Sequence, residues 1–229
     1  MRICIPIRQK SLKKAIKAAQ EGLKKASKLE DAGHELLFEV WLDDMAGLGD
    51  FIRRVKRPVI VVCRGPIEKG SFKGTEQERV LRLKEGIIAG SRFVDLGMQT
   101  HPRYIEEIKK VTQKMGASII ISQHFWGKML PLLELIEWVK KAQKMGADII
   151  KIAVTVNHWE DNVTLFELTR RASTQKIKMI VVGMGEKGKV SRMGCPLLGS
   201  YLTYVALSDA QKTAPGQWNL AEMVNFLDI

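Results

Sequence analysis

Lys144-Met145-Gly146-Ala147-Asp148-Ile149-Ile150-Lys151-Ile152-Ala153-Val154 is the stretch that decides how this chain folds. Gly146 stands where an amphipathic run, Leu130 to Met145, stops, and glycine is the residue that most readily closes a helix in the left-handed region. The apolar run after it has the length and composition of a strand covered on both faces. The same Lys-Met-Gly-Ala junction recurs at 114–117, between the amphipathic run Pro102 to Met115 and the apolar run Ser118 to Ser122. A helix passing through glycine into a buried strand, twice over, is the grammar of an α/β repeat.

Further strand-like runs are Arg2 to Ile7, Leu36 to Leu42, Pro58 to Cys63, Phe93 to Leu96, Lys178 to Val182 and Ser200 to Val205. Amphipathic stretches lie between them at Leu12 to Lys28, Thr75 to Ile88 and Trp159 to Ala172, and a last one closes the chain at Leu220 to Leu227. With Ser118 to Ser122 and Ile149 to Val154 the strands number eight, the count of a (β/α)8 TIM barrel, an α/β fold. A length of 229 residues suits a single barrel domain over 1–229, and no Pro/Ser-rich linker interrupts it.

Composition narrows the function classes. Hydrophobic residues at 45% and charged residues at 27% describe a folded globular chain. No apolar stretch reaches the roughly 18 residues of a membrane span. Met1 to Ile7 enters a strand-like segment without the apolar core of a signal peptide. Cys4, Cys63 and Cys195 form neither a disulfide framework nor a CxxC pair, and a reducing cytoplasm is the expected setting. The net charge of +12 favours anionic partners, but it is spread along helix faces. No compact basic block interleaves with aromatics, so no nucleic acid and no membrane partner is expected. The four histidines, His34, His101, His124 and His158, show no metal-ligand spacing, so no metal and no cofactor is expected. Gly183-Met184-Gly185-Glu186-Lys187-Gly188 matches GxGxxG after the seventh strand, where barrels often bind phosphate, but that match is weak by itself.

Lys151 lies inside its apolar run. Burying an unpaired ammonium is costly, and loss of the proton is the usual escape. A neutral lysine in an apolar pocket can form a Schiff base with a carbonyl. The alternatives are a lysine that reaches water from the strand tip or pairs with a carboxylate. A barrel places its chemistry at the C-terminal ends of its strands. There stand Glu39 with Asp43 and Asp44, then Arg64 and Glu68, Asp95, Ser122-Gln123-His124, Lys151, Met184 to Arg192, and Thr213 to Gln217. Lysine as imine former, His124 as proton carrier and Asp95 as the group that orients it make a coherent set. Arg64 and Arg192 can grip a carboxylate.

In this order the residues resemble the type I 3-dehydroquinate dehydratases of the shikimate pathway. The family pattern is Glu-x-Arg on strand two, Arg with Glu four residues on after strand three, Ser-x-His on strand five, Lys-Ile-Ala on strand six, then Ser-Arg and Ser-Ala-Pro-Gly-Gln. This chain has Glu39, Arg64 with Glu68, Ser122-Gln123-His124, Lys151-Ile152-Ala153, Ser191-Arg192 and Thr213-Ala214-Pro215-Gly216-Gln217. The resemblance spans Glu39 to Gln217. Three positions depart from it: Trp41 replaces the Arg of Glu-x-Arg, Phe125-Trp126 replaces the Asp-Phe after the histidine, and Thr213 replaces a serine.

The resemblance implies a lyase that takes water from 3-dehydroquinate through an imine on Lys151, with His124 as general base and acid. It implies that Glu68 supports His124, that Asp95 holds its tautomer, and that Arg192 takes the substrate carboxylate. Glu39, the Trp41 position, Arg64, Thr213 and Gln217 would meet the ring hydroxyls and carbonyl region, with Met184 as an apolar wall. It implies a small-molecule substrate and admits a homodimer. Two other readings stay open: another class I Schiff-base aldolase barrel, favoured by the glycine loop, and a degenerate, non-catalytic anion-binding barrel, favoured by Trp41 and Phe125.

Overall fold

A computed structural model describes residues 1 to 229 except 44, 46 and 229, so Asp44 lies outside the described residues. Strands and helices alternate as β1 (Arg2–Ile7), α1 (Leu12–Lys25), α2 (Ser27–Asp31), β2 (Glu35–Trp41), α3 (Leu48–Val55), β3 (Val59–Val62), α4 (Glu76–Ile88), β4 (Phe93–Gly97), α5 (Pro102–Met115), β5 (Ser118–Phe125), α6 (Leu132–Lys144), β6 (Ile149–Thr155), α7 (Asp161–Thr174), β7 (Met179–Met184), α8 (Ser191–Leu197), β8 (Thr203–Ala206), β9 (Trp218–Asn219) and α9 (Leu220–Leu227). The strands pair in parallel in the order β7-β6-β5-β4-β3-β2-β1-β8-β9. At the seam between β7 and β8, Tyr201 N–H donates to the Met179 carbonyl at 2.7 Å and Val181 N–H donates to Ser200 Oγ at 3.2 Å. The sheet thus curls into the expected α/β, TIM-barrel-like fold.

The glycines at the helix–strand junctions behave as their sequence context predicts: Gly116 has φ 67° and Gly146 has φ 84°. Strand ends differ from the sequence reading. β5 runs three residues past Ser122 to Phe125, because its ladder with β6 continues as far as Phe125 opposite Val154. His124 therefore lies within a strand rather than beyond one. β7 likewise reaches Met184, opposite Thr155. The expected helix Leu12 to Lys28 breaks at Ala26 into α1 and α2. The short helices α3 and α8 and the two-residue β9 had no distinct sequence signal.

Side chains of a strand alternate between its two faces, and two apolar layers result. On β2, Leu36, Phe38 and Val40 join the larger layer beneath the helices, while Leu37 joins Cys4, Ile60, Phe93, Ile120, Ile149 and Ile180 inside the barrel. Phe38 is fully buried and meets Phe51 of α3 edge to face, with ring centroids 6.2 Å apart. Removing so large a side chain leaves a cavity that the surroundings fill only in part. Phe38→Ala is expected to lower the unfolding free energy by about 3–5 kcal/mol. Urea denaturation measures it, and a loss below about 1 kcal/mol would contradict this packing.

Candidate active site

Strand parity also builds the site. Two residues beyond the inner apolar layer, towards the C-terminal mouth, each strand presents a second inward residue: Glu39 after Leu37, Asp95 after Phe93, Ser122 after Ile120, Lys151 after Ile149 and Tyr204 after Leu202. Two residues further on come Trp41 and His124. The inward faces of these strands thus turn polar at the same level, and the polar groups must satisfy one another.

Lys151, 6% exposed, donates to Asp95 Oδ2 at 3.0 Å, Tyr204 Oη at 2.8 Å and Glu39 Oε2 at 3.2 Å. Burial by itself would strip its proton, but the Asp95 and Glu39 carboxylates outweigh that and hold its proton affinity above the ordinary lysine value. The expectation of an uncharged amine in an apolar pocket is therefore corrected. At rest Lys151 is an ammonium, because the inward face at its level is carboxylate and phenol.

Arg64 is 3% exposed and runs along the same network. It pairs with Glu68, lies 2.9 Å from Asp95 Oδ2 and donates to Ser122 Oγ at 3.2 Å. Ser122 Oγ in turn donates to Asp95 Oδ1 at 2.5 Å. Burial would raise the Asp95 carboxyl, but Arg64 and Lys151, with the Ser122 hydroxyl, hold it far below the usual carboxylate range. Two expected roles change accordingly. Asp95 is bound by Lys151, Arg64 and Ser122 rather than by the ring of His124, and Glu68 is bound by Arg64. Two cations at hydrogen-bond distance outcompete a neutral imidazole for a carboxylate.

The loop that carries Glu68 is pinned from below. Asp43 accepts from Arg64 N–H and from Ser71 N–H, both at 2.8 Å. A Cβ on Gly70 would sit 1.8 Å from the Arg64 carbonyl oxygen, so this return of the chain requires glycine.

His124 is partly buried and stacks on Trp126, with ring centroids 5.5 Å apart and planes 9° from parallel. Loss of water contact, then Arg64 and Lys151, push its proton affinity well below the ordinary 6.5, with Asp95 opposing. The imidazole is therefore neutral. Phe125 points the other way, into the outer layer against Trp138 of α6, centroids 5.3 Å apart. It does not enter the site. Trp41 does, donating from Nε1 to Glu39 Oε1 at 3.1 Å beneath the guanidinium of Arg8, which lies 4.5 Å from the indole centroid.

Arg192 is held on the opposite wall. Ser191 Oγ accepts from Gly183 N–H at 2.9 Å and donates to the Gly188 carbonyl at 2.7 Å, while Thr203 Oγ1 donates to the Arg192 carbonyl at 2.7 Å. The Arg192 side chain is buried with no carboxylate partner among the described residues, and that burial lowers its proton affinity to about 10. Its Nη2 donates to the Pro215 carbonyl at 3.2 Å, and its Nε has no partner among the described residues. Gln217 uses Oε1 to accept from Thr213 N–H at 2.9 Å, and its buried Nε2 is likewise without a partner. Met184 is buried in the same wall. The glycine loop consumes its own amides: Gly188 N–H donates to the Gly185 carbonyl at 3.0 Å and Gly185 N–H to the Pro215 carbonyl at 3.2 Å. Gly183 N–H is taken by Ser191, so all three glycine amides of the GxGxxG match are bonded within the protein.

Lys151, His124, Glu39, Arg64, Glu68 and Arg192 all line one cavity of about 250 Å³, which Trp41, Met184, Thr213 and Gln217 also border. Its walls offer an ammonium, a neutral imidazole and a guanidinium that meets no carboxylate among the described residues. Comparison with known proteins fits this set. The family described as type I 3-dehydroquinase matches residues 3–229. The chain belongs to the type I 3-dehydroquinase family. It is 33% identical over 217 residues to a 3-dehydroquinate dehydratase of Methanocaldococcus jannaschii, covering 94% of this chain and 92% of that one. Identity to a 3-dehydroquinate dehydratase of Desulfotalea psychrophila is 29% over 224 residues, or 97% and 95% of the two chains. The crystal structure of type I 3-dehydroquinate dehydratase from Clostridium difficile, solved with covalently modified comenic acid, superposes with a TM-score of 0.82 at 26% identity, covering 98% of this chain and 91% of that one.

Within this type I 3-dehydroquinase, four charged or aromatic residues of the cavity escaped the sequence reading: Arg8, Lys69, Trp126 as a wall, and Tyr204. Parity would have found three of them. Arg8 continues the inward series of β1 after Cys4, Trp126 continues that of β5 after His124, and Tyr204 follows Leu202. Lys69 sits on a turn and had no such signal.

The neutral state of His124 has a consequence for stability. Below its ordinary 6.5 the unfolded chain takes up a proton on this ring that the folded chain refuses. The unfolded state then binds more protons, so the stability contribution of this site falls as pH drops. Replacing it by His124→Asn is expected to flatten the acid side of the stability–pH curve. Thermal unfolding of both proteins across that range is the check, and identical slopes would refute a neutral imidazole.

Proposed function

We propose that this chain, acting as one domain over 1–229, dehydrates 3-dehydroquinate to 3-dehydroshikimate through an imine on Lys151. One observation carries the reading: a buried lysine, a neutral histidine and a buried arginine without a carboxylate line a single cavity. The substrate brings the complementary groups, a ketone for the amine and a carboxylate for Arg192. The unpartnered donors Arg192 Nε and Gln217 Nε2 are where acceptors are wanted. Glu39, with Trp41 holding one of its oxygens, is placed to take ring hydroxyls.

Lys151 has to lose its proton before its lone pair can attack. His124 is the neutral base in the same cavity and takes that proton. The amine adds to the ketone, and the carbinolamine hydroxyl leaves as water with the proton that His124 returns. The resulting iminium withdraws electrons from the neighbouring C–H bond. His124 removes the C2 proton, leaving an enamine, and then protonates the departing C1 hydroxyl. Water hydrolyses the remaining imine, which frees product and regenerates the amine. Arg64, tied to Glu68 and Asp95, holds the Asp95 carboxylate ionised throughout.

The test is appearance of the conjugated enone by ultraviolet absorbance when dehydroquinate is added, together with borohydride trapping and mass spectrometry. Wild-type protein is expected to give product and a Lys151 adduct. Lys151→Ala is expected to give neither, and His124→Ala is expected to trap an adduct with turnover lowered by about 10²–10⁴-fold. Arg192→Met removes charge-assisted hydrogen bonds of about 1.5–3 kcal/mol each, so KM should rise by at least about 10-fold. An adduct without enone would point to another Schiff-base reaction, and the absence of both would leave an anion-binding barrel.

A further inference from the structure

A proton-carrying histidine is ordinarily oriented by a hydrogen bond to one ring nitrogen, which also fixes its tautomer. In this chain no described group hydrogen-bonds either nitrogen of the His124 ring. The charged groups that bear on the ring are Arg64 after β3, Asp95 on β4 and Lys151 on β6, and each is committed to the ion-pair network. The ring does have a flat partner. Trp126, two residues on and just past the end of β5, lies 5.5 Å away and 9° from parallel. The indole is itself held, because Lys69 Nζ stands 3.8 Å from its centroid. Lys69 projects from the turn after β3 at φ 60°, and its carbonyl accepts from Arg8 Nη2 at 3.4 Å.

We propose that Trp126 is a positioning residue for His124 and that Lys69 holds the indole in place. Stacking fixes the plane of the imidazole while leaving both nitrogens to the reacting atoms. The inference rests on His124 being the proton carrier. Orientation supplied through a face, not an edge, suits a ring that must first take a proton and later return it at a different atom. It also keeps water from one side of the ring. Misplacing a catalytic group by about 1 Å can cost on the order of 100-fold in rate.

Three variants test this: Trp126→Leu, which keeps an apolar side chain but no ring, Trp126→Phe, which keeps a face, and Lys69→Met. For Trp126→Leu, kcat should fall by about 10- to 100-fold with KM near the wild-type value. Trp126→Phe should recover most of kcat. In the leucine variant water reaches the ring, so His124 should titrate closer to 6.5 and the acid limb of kcat should move to higher pH. NMR titration of the imidazole reads the same shift without substrate. Lys69→Met should move the titration in the same direction by less, and it carries the test if the leucine variant does not fold. Unchanged kcat and an unchanged His124 titration overturn the proposal. A loss of kcat that phenylalanine does not restore, with the titration unmoved, overturns it too, since Trp126 would then be contacting substrate. If the wild-type chain gives no enone, the functional reading fails, and the titration still decides whether Trp126 governs the ring.

Discussion

The site depends on neutralising a lysine that the fold buries. Lys151 and Arg64 face three carboxylates, Glu39, Glu68 and Asp95, with Asp95 shared between them. One negative charge is left over on that side. Across the cavity Arg192 is buried without a carboxylate among the described residues. Arg8 and Lys69 also border the cavity, so cations outnumber carboxylates around it. A neutral His124 is part of the same balance. An imidazolium there would add a further cation beside Arg64 and Lys151.

Such a network is not what holds the barrel together. The desolvation cost of buried ion pairs roughly cancels their attraction, whereas removing one partner strands the others at about 3–5 kcal/mol. The two apolar layers supply the favourable term, the outer one beneath the helices around Phe38 and Ile108 and the inner one around Leu37 and Ile120. The inner layer also has a positional role. It floors the polar tier, and nothing below Lys151 competes for its ammonium, since Cys4 beneath it stays a thiol, raised by burial and by Glu39.

Much of this was legible in the chain. The repeated helix–glycine–strand junction gives the α/β barrel, and a lysine inside an apolar strand marks the polar tier of the cavity, because both are statements about what a buried backbone and a buried charge tolerate. The protonation state of Lys151 was not legible. It depends on which carboxylates converge from β2 and β4, and sequence separation between Glu39, Asp95 and Lys151 says nothing about that. The partners of Asp95 and Glu68 were missed for the same reason: Arg64 reaches both first. Phe125 and Trp126 read as one substitution in sequence, yet strand alternation sends Phe125 to Trp138 and Trp126 to the cavity. That distinction was available from parity once β5 is allowed to run past Ser122.

Trp41 shows how a departure from the family pattern is absorbed. An arginine on β2 would place a guanidinium beside Glu39; here the indole Nε1 supplies the hydrogen bond to that carboxylate instead. The positive charge is not lost from the mouth of the barrel. β1 and β2 pair in register as far as Ile7 opposite Val40, so the next residues, Arg8 and Trp41, come side by side. The guanidinium then settles 4.5 Å over the indole, an arrangement that the ring's negative face favours. Adjacent parallel strands offer neighbouring positions at the same height, so the Arg8 cation after β1 stands beside Trp41 on β2. What changes is its footing: a guanidinium stacked on a flat wall approaches the cavity from above, where one rooted beside Glu39 would approach from the side.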